Sequence, residues 1–477
     1  MTREEKLAKN TMILAIGTFL PKLAAFITLP ILTGCLTKED WGFYELIVDL
    51  VSLILPTATL QIQTAAFRFL IDRKDKQEDV RSIITNIYAF IVPISVAALL
   101  ILYLCLYFLV PGQPSSIKLL ICLYFFADIL VNAARQVSRG MSKNLFYSLS
   151  AIVSALCKII FAVVFVWWLK VGLEGAVWAL FLASLISLIV LSLLIRLHRY
   201  IDLHSISVKQ IKELIAYSWG MVPNCMSMWV MRVSDRFVVT GFMGYAANAI
   251  YSAANKIPSI LTIAQTTFTM AWQENASIVS KDKDAGAYYS SMFRTMFDLM
   301  AGFLGLLISA TPLLFKLLIR GDYGDAYPHM PILFLAMFCY SMCAFLGGIY
   351  VAYMDTKSVG ITTLAAAICN LLIDLLTIKF IGIYAASGST LISYLLLFIF
   401  RAVDVRKLVA IKYDIRRILV IACILIAESA LCFLHTLPTD CINLVFGVIV
   451  FCVLNRALIR AVWTKGTGLL KKKLHRS

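Results

Sequence analysis

Charged residues are scarce in this chain, and their scarcity excludes an ordinary soluble protein. Only 15% of the 477 residues are Asp, Glu, Lys or Arg, whereas 61% are hydrophobic; soluble domains carry about 25% charged residues. Charge is missing from stretch after stretch of about 20 residues, the length that a helix needs to cross a hydrocarbon core of about 30 Å. The sequence therefore predicts a polytopic membrane protein.

Catalytic and nucleotide-binding motifs are lacking as well. The chain has no Walker loop, no His-Glu-x-x-His and no Gly-x-Ser-x-Gly motif. Its predicted outer gaps are too short for the catalytic loops that membrane glycosyltransferases and polymerases carry. The twelve Cys include no Cys-x-x-Cys pair, so we interpret them as small apolar packing residues. We expect no catalytic residue, no cofactor and no metal site, and thus not an enzyme.

Long apolar windows dominate what is present. Because lipid offers no partner for backbone N–H and C=O groups, windows of this length predict helices and not barrel strands. The fold class is therefore all-α, a polytopic membrane protein of about 14 transmembrane helices. The predicted spans 1 to 14 cover 11–35, 42–69, 83–110, 117–137, 145–169, 173–195, 213–240, 247–275, 290–318, 331–353, 359–380, 382–400, 418–435 and 442–459.

The basic residues fall in alternate gaps between these spans. Of the 43 Lys and Arg, 31 lie in or at the edges of one set of gaps and 6 in or at the edges of the other. By the positive-inside rule, this distribution predicts that both termini and the connection 196–212 are cytoplasmic. It also explains the formal charge of +16 through topology and contact with anionic headgroups. We expect membrane lipids, and no nucleic acid, as partners.

The two halves of the chain match each other at a constant offset. Residues 32–34 (Leu-Thr-Gly) and 239–241 (Val-Thr-Gly) lie 207 residues apart, as do Tyr44 and Tyr251. Six spans in each half is an even number, which predicts two lobes in parallel repeat. The predicted domains are an N-terminal lobe (1–200), a C-terminal lobe (201–408), and the last two spans with a basic cytoplasmic tail (409–477).

Proline occurs in the spans that match between the halves. Because proline loosens a helix and frees a carbonyl, matched interruptions predict a substrate site where the lobes meet. The alternative is an ordinary kink that relieves packing. The prolines are Pro21 and Pro30 in span 1, Pro56 in span 2, Pro223 in span 7 and Pro258 in span 8.

The same four spans carry charged residues within the membrane, where inserting each charge costs at least about 2.5–3.5 kcal/mol. Like charges four residues apart share a helix face and need an opposite charge or a ligand between them, which predicts a hydrated cavity of positive potential. The alternative is a closed network that pairs Lys22 with Asp49 and Arg232 with Asp235. The expected substrate-binding cations are Lys22, Arg232, Arg236 and Lys256, and the expected counter-charges or coupling residues are Glu45, Asp49, Asp128 and Asp235.

Other charges within the spans are open to structural interpretations. Arg294 and Asp298 have the spacing of a helical ion pair. Asp128 in span 4 can pair with Lys158 in span 5 or line the cavity of the first lobe. Asp374 and Glu428 are further candidates for a proton or cation site.

Two segments resemble bacterial polysaccharide-type flippases of the multidrug/oligosaccharidyl-lipid/polysaccharide export superfamily. One is Val-Ser-Asp-Arg-Phe at 233–237 with Ile-Tyr-Ser-Ala-Ala-Asn-Lys-Ile-Pro at 250–258; the other is Leu-Thr-Lys-Glu-Asp-Trp-Gly-Phe-Tyr at 36–44, after an opening segment 10–30. The resemblance implies a V-shaped pair of lobes and alternating access. It implies movement of an undecaprenyl-pyrophosphate-linked oligosaccharide between the leaflets of the cytoplasmic membrane, alongside the polymerase and glycosyltransferases of the pathway.

Three other functions stay open at this point. A multidrug or cation-coupled exporter of the same superfamily is the main one, but many such exporters carry an acidic residue in the first helix where this chain has Lys22. A membrane polymerase or ligase of the same pathway is the second, and a purely structural membrane partner is the third. Lys22 favours an anionic substrate.

Overall fold

The computed structural model describes residues 3–72, 77–434, 436–456 and 459–460. These residues form sixteen α-helices, with short 3₁₀ and π segments between some of them, and they contain no strand. The chain divides into two compact units, residues 1–249 with 318–321 and residues 250–317 with 322–477. Each unit has its own core.

The first unit is built around apolar side chains from several helices. Ile62, Ile83, Phe125 and Val177 are fully buried in one continuous cluster, as expected for helices that hide one face from lipid and water alike. Its helices are α1 (Arg3–Cys35), α2 (Lys38–Ala58), α3 (Ile62–Asp72), α4 (Gln77–Leu109), α5 (Ser115–Gly140), α6 (Asn144–Phe161), α7 (Leu173–Ile195), α8 (Val208–Ser218) and α9 (Met221–Lys256) as far as residue 249.

The second unit packs around the apolar helix α12. The rings of Trp272 and Phe345 stack with centroids 4.3 Å apart, and the Trp272 indole donates to the Phe345 carbonyl over 2.9 Å. A buried indole N–H with such a partner avoids the cost of an unmade hydrogen bond. The helices after α9 are α10 (Ser259–Val279), α11 (Ala285–Leu318), α12 (Met330–Ala352), α13 (Thr356–Ile381), α14 (Ile383–Asp404), α15 (Ile415–Leu434) and α16 (Leu437–Leu454).

Eleven helices of the described residues are long and apolar enough to cross a membrane: α1, α2, α4 to α7, and α11 to α15. The other three predicted spans correspond to α9 and α10, which carry more polar residues, and to α16, which is a shorter apolar helix. The predicted fold class, an all-α polytopic membrane protein, is confirmed. Helices α9 and α10 are among those in which the sequence predicts the site.

Three predicted spans are wrong as single helices. Span 7 divides into the end of α8 and the start of α9, with a turn between them at residues 219–220. Span 2 divides into α2 and α3, because the chain turns at Leu60 and Gln61, whose φ angles are +48° and +56°. Span 8 divides between the end of α9 and α10, which begins directly after Pro258, where proline is well tolerated. By contrast, Pro21 and Pro30 lie inside the continuous helix α1, so proline alone does not determine where these helices break.

Helix α9 itself bends at Gly244. The φ angle there is +86°, outside the helical region, and glycine adopts such a conformation at little steric cost. The residues before the bend lie in the first unit, together with the charged part of α9.

Candidate functional site

Helices α2 and α9 make a close approach within the first unit. A Cβ atom at Gly42 would collide with the backbone carbonyl of Tyr245. The Asn248 side chain donates to the Gly42 carbonyl over 2.8 Å, and the rings of Phe43 and Tyr245 meet edge to face at 5.1 Å. The absent side chain at Gly42 therefore lets the two backbones contact each other directly.

This contact brings Arg236 of α9 between the two carboxylates of α2. Its Nη1 atom lies 2.6 Å from Asp49 Oδ2 and 3.2 Å from Glu45 Oε2. The three side chains are only 9% to 15% exposed, so water screens the attraction weakly. The prediction that the (i, i+4) carboxylates need a cation holds, but the pairing of Lys22 with Asp49 is wrong.

Trp229 reinforces the same contact, and sequence reasoning missed it. Its indole nitrogen donates to the Asp49 carbonyl and to Ser52 Oγ, both over 3.1 Å. The signal was available, because Trp229 lies two helical turns before Arg236 and therefore on the same side of α9. The indole holds α2 in register with the charged turn of α9.

Lys22 and Arg232 are accessible cations beside these ion pairs, and we refer to the five residues Lys22, Glu45, Asp49, Arg232 and Arg236 as the charged cluster. Both side chains are exposed, and their like charges are close enough to repel each other. Within the described part of the chain, neither makes a hydrogen bond or ion pair. Two cations of the first unit are thus left to meet an anion.

Asp235 does not belong to the charged cluster. The predicted pairing of Arg232 with Asp235 is wrong, because Arg232 makes no ion pair within the described residues. Asp235 is only 4% exposed, whereas Arg232 is exposed. Adjacent turns of one helix therefore place the two side chains in different surroundings.

Lys256 lies in the second unit, as the last residue of α9. Its side chain is half-buried, and its carbonyl accepts a hydrogen bond from Ser259 Oγ over 2.6 Å. That bond ties the end of α9 to the first turn of α10. The expected contact of Lys256 with substrate stays a prediction.

An apolar pocket of about 870 Å³ lies beside the charged cluster in the first unit. Its walls come from α2, α4 and α9, including Phe43, Leu50, Phe90 and Phe237. Leu50 and Phe237 directly follow Asp49 and Arg236 in the sequence, so α2 and α9 carry charge on one face and hydrocarbon on the next. A pocket with such apolar walls can bind an aliphatic chain but does not favour an ion.

Asp128 belongs to a second polar cluster in the first unit, formed by α5, α6 and α7. Its carboxylate accepts hydrogen bonds from Asn132 over 3.0 Å and Ser184 over 3.4 Å. Lys158 attracts it electrostatically, but no ion pair forms between them within the described ranges. Arg135, which the charge count assigns to a gap, lies inside α5 and donates to Ser150 over 3.1 Å.

Two interpretations of ionic residues in the second unit are wrong. Asp298 does not pair with Arg294; it accepts two hydrogen bonds from the Arg417 guanidinium, over 2.8 and 3.0 Å. A bidentate contact of this kind is stronger than a single contact along one helix. Arg401, which the charge count assigns to a connection, is 4% exposed and donates to two backbone carbonyls and to the hydroxyls of Thr362 and Thr363.

Metal-binding residues do not gather anywhere in the described ranges. No group of three or more His, Cys, Asp or Glu side chains is close enough there to hold an ion. What the first unit offers a ligand is a pair of accessible cations and an apolar surface next to them.

Comparisons with known proteins identify the family and the fold. The family model described as polysaccharide biosynthesis protein matches residues 7–273, more than half of the chain. Among curated proteins, none matches. An inward-facing multidrug resistance MATE family transporter of the MOP superfamily has a similar structure, with a TM-score of 0.69 and 13% identity over 83% of this chain and 98% of that one.

Two further solved structures share the fold. A MATE transporter from Vibrio cholerae has a TM-score of 0.59 at 14% identity and covers 84% of this chain and 96% of its own. A MOP superfamily transporter from Pyrococcus furiosus, described as having a binding pocket of reverse polarity, has a TM-score of 0.58 at 12% identity, with coverages of 84% and 95%. At these identities the likeness establishes the fold alone.

Proposed function

Because this chain belongs to the polysaccharide biosynthesis protein family, we propose that it is a flippase for a lipid-linked oligosaccharide. It moves an undecaprenyl-pyrophosphate-linked glycan from the inner to the outer leaflet of the bacterial cytoplasmic membrane by alternating access. Its lobes are the two halves of the chain, and its termini are cytoplasmic. The polymerase and glycosyltransferases of the same pathway are its expected partners.

The observation that carries this proposal is the accessible pair Lys22 and Arg232. A pyrophosphate diester carries about two negative charges and needs cationic donors to replace its water. Arg236 engages the carboxylates of both Glu45 and Asp49, and the five residues of the charged cluster keep a net charge of +1. Arg236 is thus a positioning residue, and Lys22 and Arg232 are the expected phosphate ligands. Lys256 stays a further expected substrate-binding residue.

The apolar pocket supports a lipid-linked substrate over a soluble one. It shares α2 and α9 with the charged cluster, so one substrate with an anionic group and an aliphatic chain fits both surfaces. Burial of apolar surface stabilises such a complex by roughly 25 cal/mol per Å². A hydrophilic anion would use only the cations.

A cation-coupled drug exporter is the second candidate, because the similar solved structures include multidrug transporters. A cationic drug, however, would be repelled by Lys22 and Arg232. A membrane polymerase or ligase differs in its product: purified enzyme would lengthen or transfer the glycan, whereas a flippase only relocates it.

Transport by purified protein in liposomes tests the proposal. A fluorescent polyprenyl-pyrophosphate oligosaccharide is placed in both leaflets, and its exposure to an impermeant reagent is followed over time. We expect Lys22→Ala with Arg232→Ala to lower the rate about tenfold, as befits the loss of charge-assisted contacts. Lys256→Ala should also remain folded and lose transport.

The matched control is Arg294→Ala. Arg294 is an exposed arginine on α11 without an ion pair in the described residues, so its removal should leave transport unchanged. Full transport by a well-expressed Lys22→Ala, Arg232→Ala variant would overturn the assignment of these cations. Extrusion of a cationic dye with no movement of the glycan would favour the exporter.

A further inference from the structure

A second cationic pocket lies in the first unit, away from the charged cluster. It encloses about 880 Å³ between the start of α4, the turn before α6 and the segment that follows α7. Four basic residues line it, Arg81, Lys143, Arg196 and Arg199, together with His198. Asp202 is the one carboxylate among its lining residues.

No carboxylate of the described residues neutralises these four cations. The Asp202 carboxylate is engaged by His204: it accepts the His204 backbone N–H over 3.1 Å and lies 3.5 Å from its ring nitrogen. None of the four cations forms an ion pair in the part of the chain that the structure describes. Burial, and to a smaller extent repulsion from Arg196, lower the pKa of the Lys143 ammonium. An anion bound among them would relieve this repulsion.

Hydrogen bonds between side chains of α4 and the backbone of residues 199–202 hold one wall of the pocket in place. Arg81 Nε donates to the Arg199 carbonyl over 3.2 Å. The Thr85 hydroxyl donates to the Tyr200 carbonyl over 2.9 Å and accepts from the Asp202 N–H over 3.0 Å. These bonds fasten residues 199–202 to α4. Preorganised cations lose less conformational entropy when an anion binds.

Apolar residues place the pocket at the level of lipid headgroups. Leu194 and Ile195 line it from the end of α7, a helix long and apolar enough to span the membrane. Ile201, also in the lining, is 39% exposed, and Leu203 is 73% exposed. Exposed apolar residues next to cations are typical of a segment that lies in the membrane interface.

We propose that this pocket binds the phosphate group of an anionic phospholipid headgroup in the leaflet that contacts the connection 196–212. The guanidinium groups of Arg196 and Arg199 and the ammonium of Lys143 contact the phosphate, and Leu194 and Ile201 contact the upper acyl chains. The site is separate from the proposed transport site, and it anchors the connection between the predicted lobes to the membrane surface.

Lipid retention by the full-length protein tests this site. The probe is phosphatidylglycerol, titrated in nanodiscs of phosphatidylcholine, with the thermal midpoint and the lipids retained in native mass spectrometry as readouts. The test variant is Arg196→Gln with Arg199→Gln. The matched control is Lys209→Gln with Lys212→Gln, two exposed lysines of the neighbouring helix α8 that remove the same charge outside the pocket.

We expect phosphatidylglycerol to raise the thermal midpoint of the wild type and of the control. The test variant should bind phosphatidylglycerol with about tenfold lower affinity. Equal weakening in the test variant and the control would overturn the pocket, since only diffuse surface charge would then matter. Inorganic phosphate distinguishes the source of the anion. If it stabilises the lipid-free protein through Arg196 and Arg199 as strongly as the lipid does, the headgroup assignment is wrong.

Discussion

At the scale of single residues, Arg236 shows how one side chain can decide whether a polar cluster is tolerated inside a membrane bundle. It lies within 3.2 Å of both Glu45 and Asp49, and a carboxylate stripped of its partner in such a setting is strongly destabilising. Arg232, one turn earlier on α9, carries the same charge but no such bond within the described residues. The two arginines should therefore respond differently to substitution.

We expect Arg236→Ala to destabilise the protein by about 3 kcal/mol, because it leaves two nearly buried carboxylates without their cation. Arg232→Ala should change stability by less than about 0.5 kcal/mol. Thermal unfolding in detergent measures both. Restored stability in the triple variant Arg236→Met, Glu45→Gln, Asp49→Asn would identify the lost ion pairs as the cause; equal effects of the two alanine variants would contradict the assignment.

Glu428 of α15 carries a carboxyl group that makes no hydrogen bond within the described residues. It is fully buried, and neither carboxyl oxygen has a hydrogen-bond partner there. Gly305 makes room for it, since a Cβ there would lie 2.9 Å from Glu428 Oε2. Burying a polar group without a partner costs roughly 1–3 kcal/mol in proteins.

Glu428→Met should therefore raise the free energy of unfolding by about 1–3 kcal/mol, and with it the thermal midpoint, because methionine fills a similar volume without a carboxyl group. Gly305→Ala should lower it by crowding the carboxyl group, and should do so less in the Glu428→Met background. A lower midpoint for Glu428→Met would mean that the carboxyl group stabilises the fold. Loss of transport without loss of stability would instead assign Glu428 a role in coupling.

At the scale of helices, the direct contact of α2 with α9 depends on one missing side chain. Gly42 touches the Tyr245 backbone, whereas Gly241, also on α9, has open space where a Cβ would be. Both are glycines in helices, so their intrinsic cost to the helix is similar. Only their surroundings differ.

Gly42→Ala should destabilise the protein by more than about 2 kcal/mol, because the added methyl separates α2 from α9 and weakens the ion pairs beside them. Gly241→Ala should be neutral or stabilising by up to about 1 kcal/mol, through helix propensity alone. Unfolding midpoints of the two variants provide the comparison. A stable Gly42→Ala protein would show that the close approach is dispensable.

At the scale of the whole molecule, charge distribution predicts topology, with a correction that the structure supplies. Arg135 and Arg401 count as residues of connections in the sequence, yet both lie inside helices and donate to polar groups there. Removing them from the count leaves the large excess of cations in one set of gaps. The predicted orientation therefore rests on the remaining connections and the basic tail.

Both termini are expected on the cytoplasmic side. In a chain with its native thiols removed, Ser477→Cys should resist an impermeant thiol reagent in intact cells and react after lysis. A cysteine in the short gap at residue 112 should react without lysis and serves as the control. Labelling of position 477 in intact cells would reverse the topology.

The sequence by itself determined the class of fold and where polarity is concentrated. Long apolar windows leave the backbone no partners except its own, so helices of membrane length follow from composition. The unusual charges of α2 and α9 stand out for the same reason, since inserting them is costly. The resemblance to polysaccharide-type flippases agrees with the family that the match over 7–273 establishes.

Only the tertiary structure decided which charges meet. Spacing along one helix suggests Arg294 with Asp298, but Arg417 of another helix reaches Asp298 with two hydrogen bonds. Asp49 pairs with Arg236, not Lys22, because the approach at Gly42 sets α9 against α2. An ion pair across two helices requires charged atoms within about 4 Å of each other, and this depends on how the two helices are rotated and aligned against each other. Periodicity in the sequence specifies the face on which a residue lies but not the partner that this face meets.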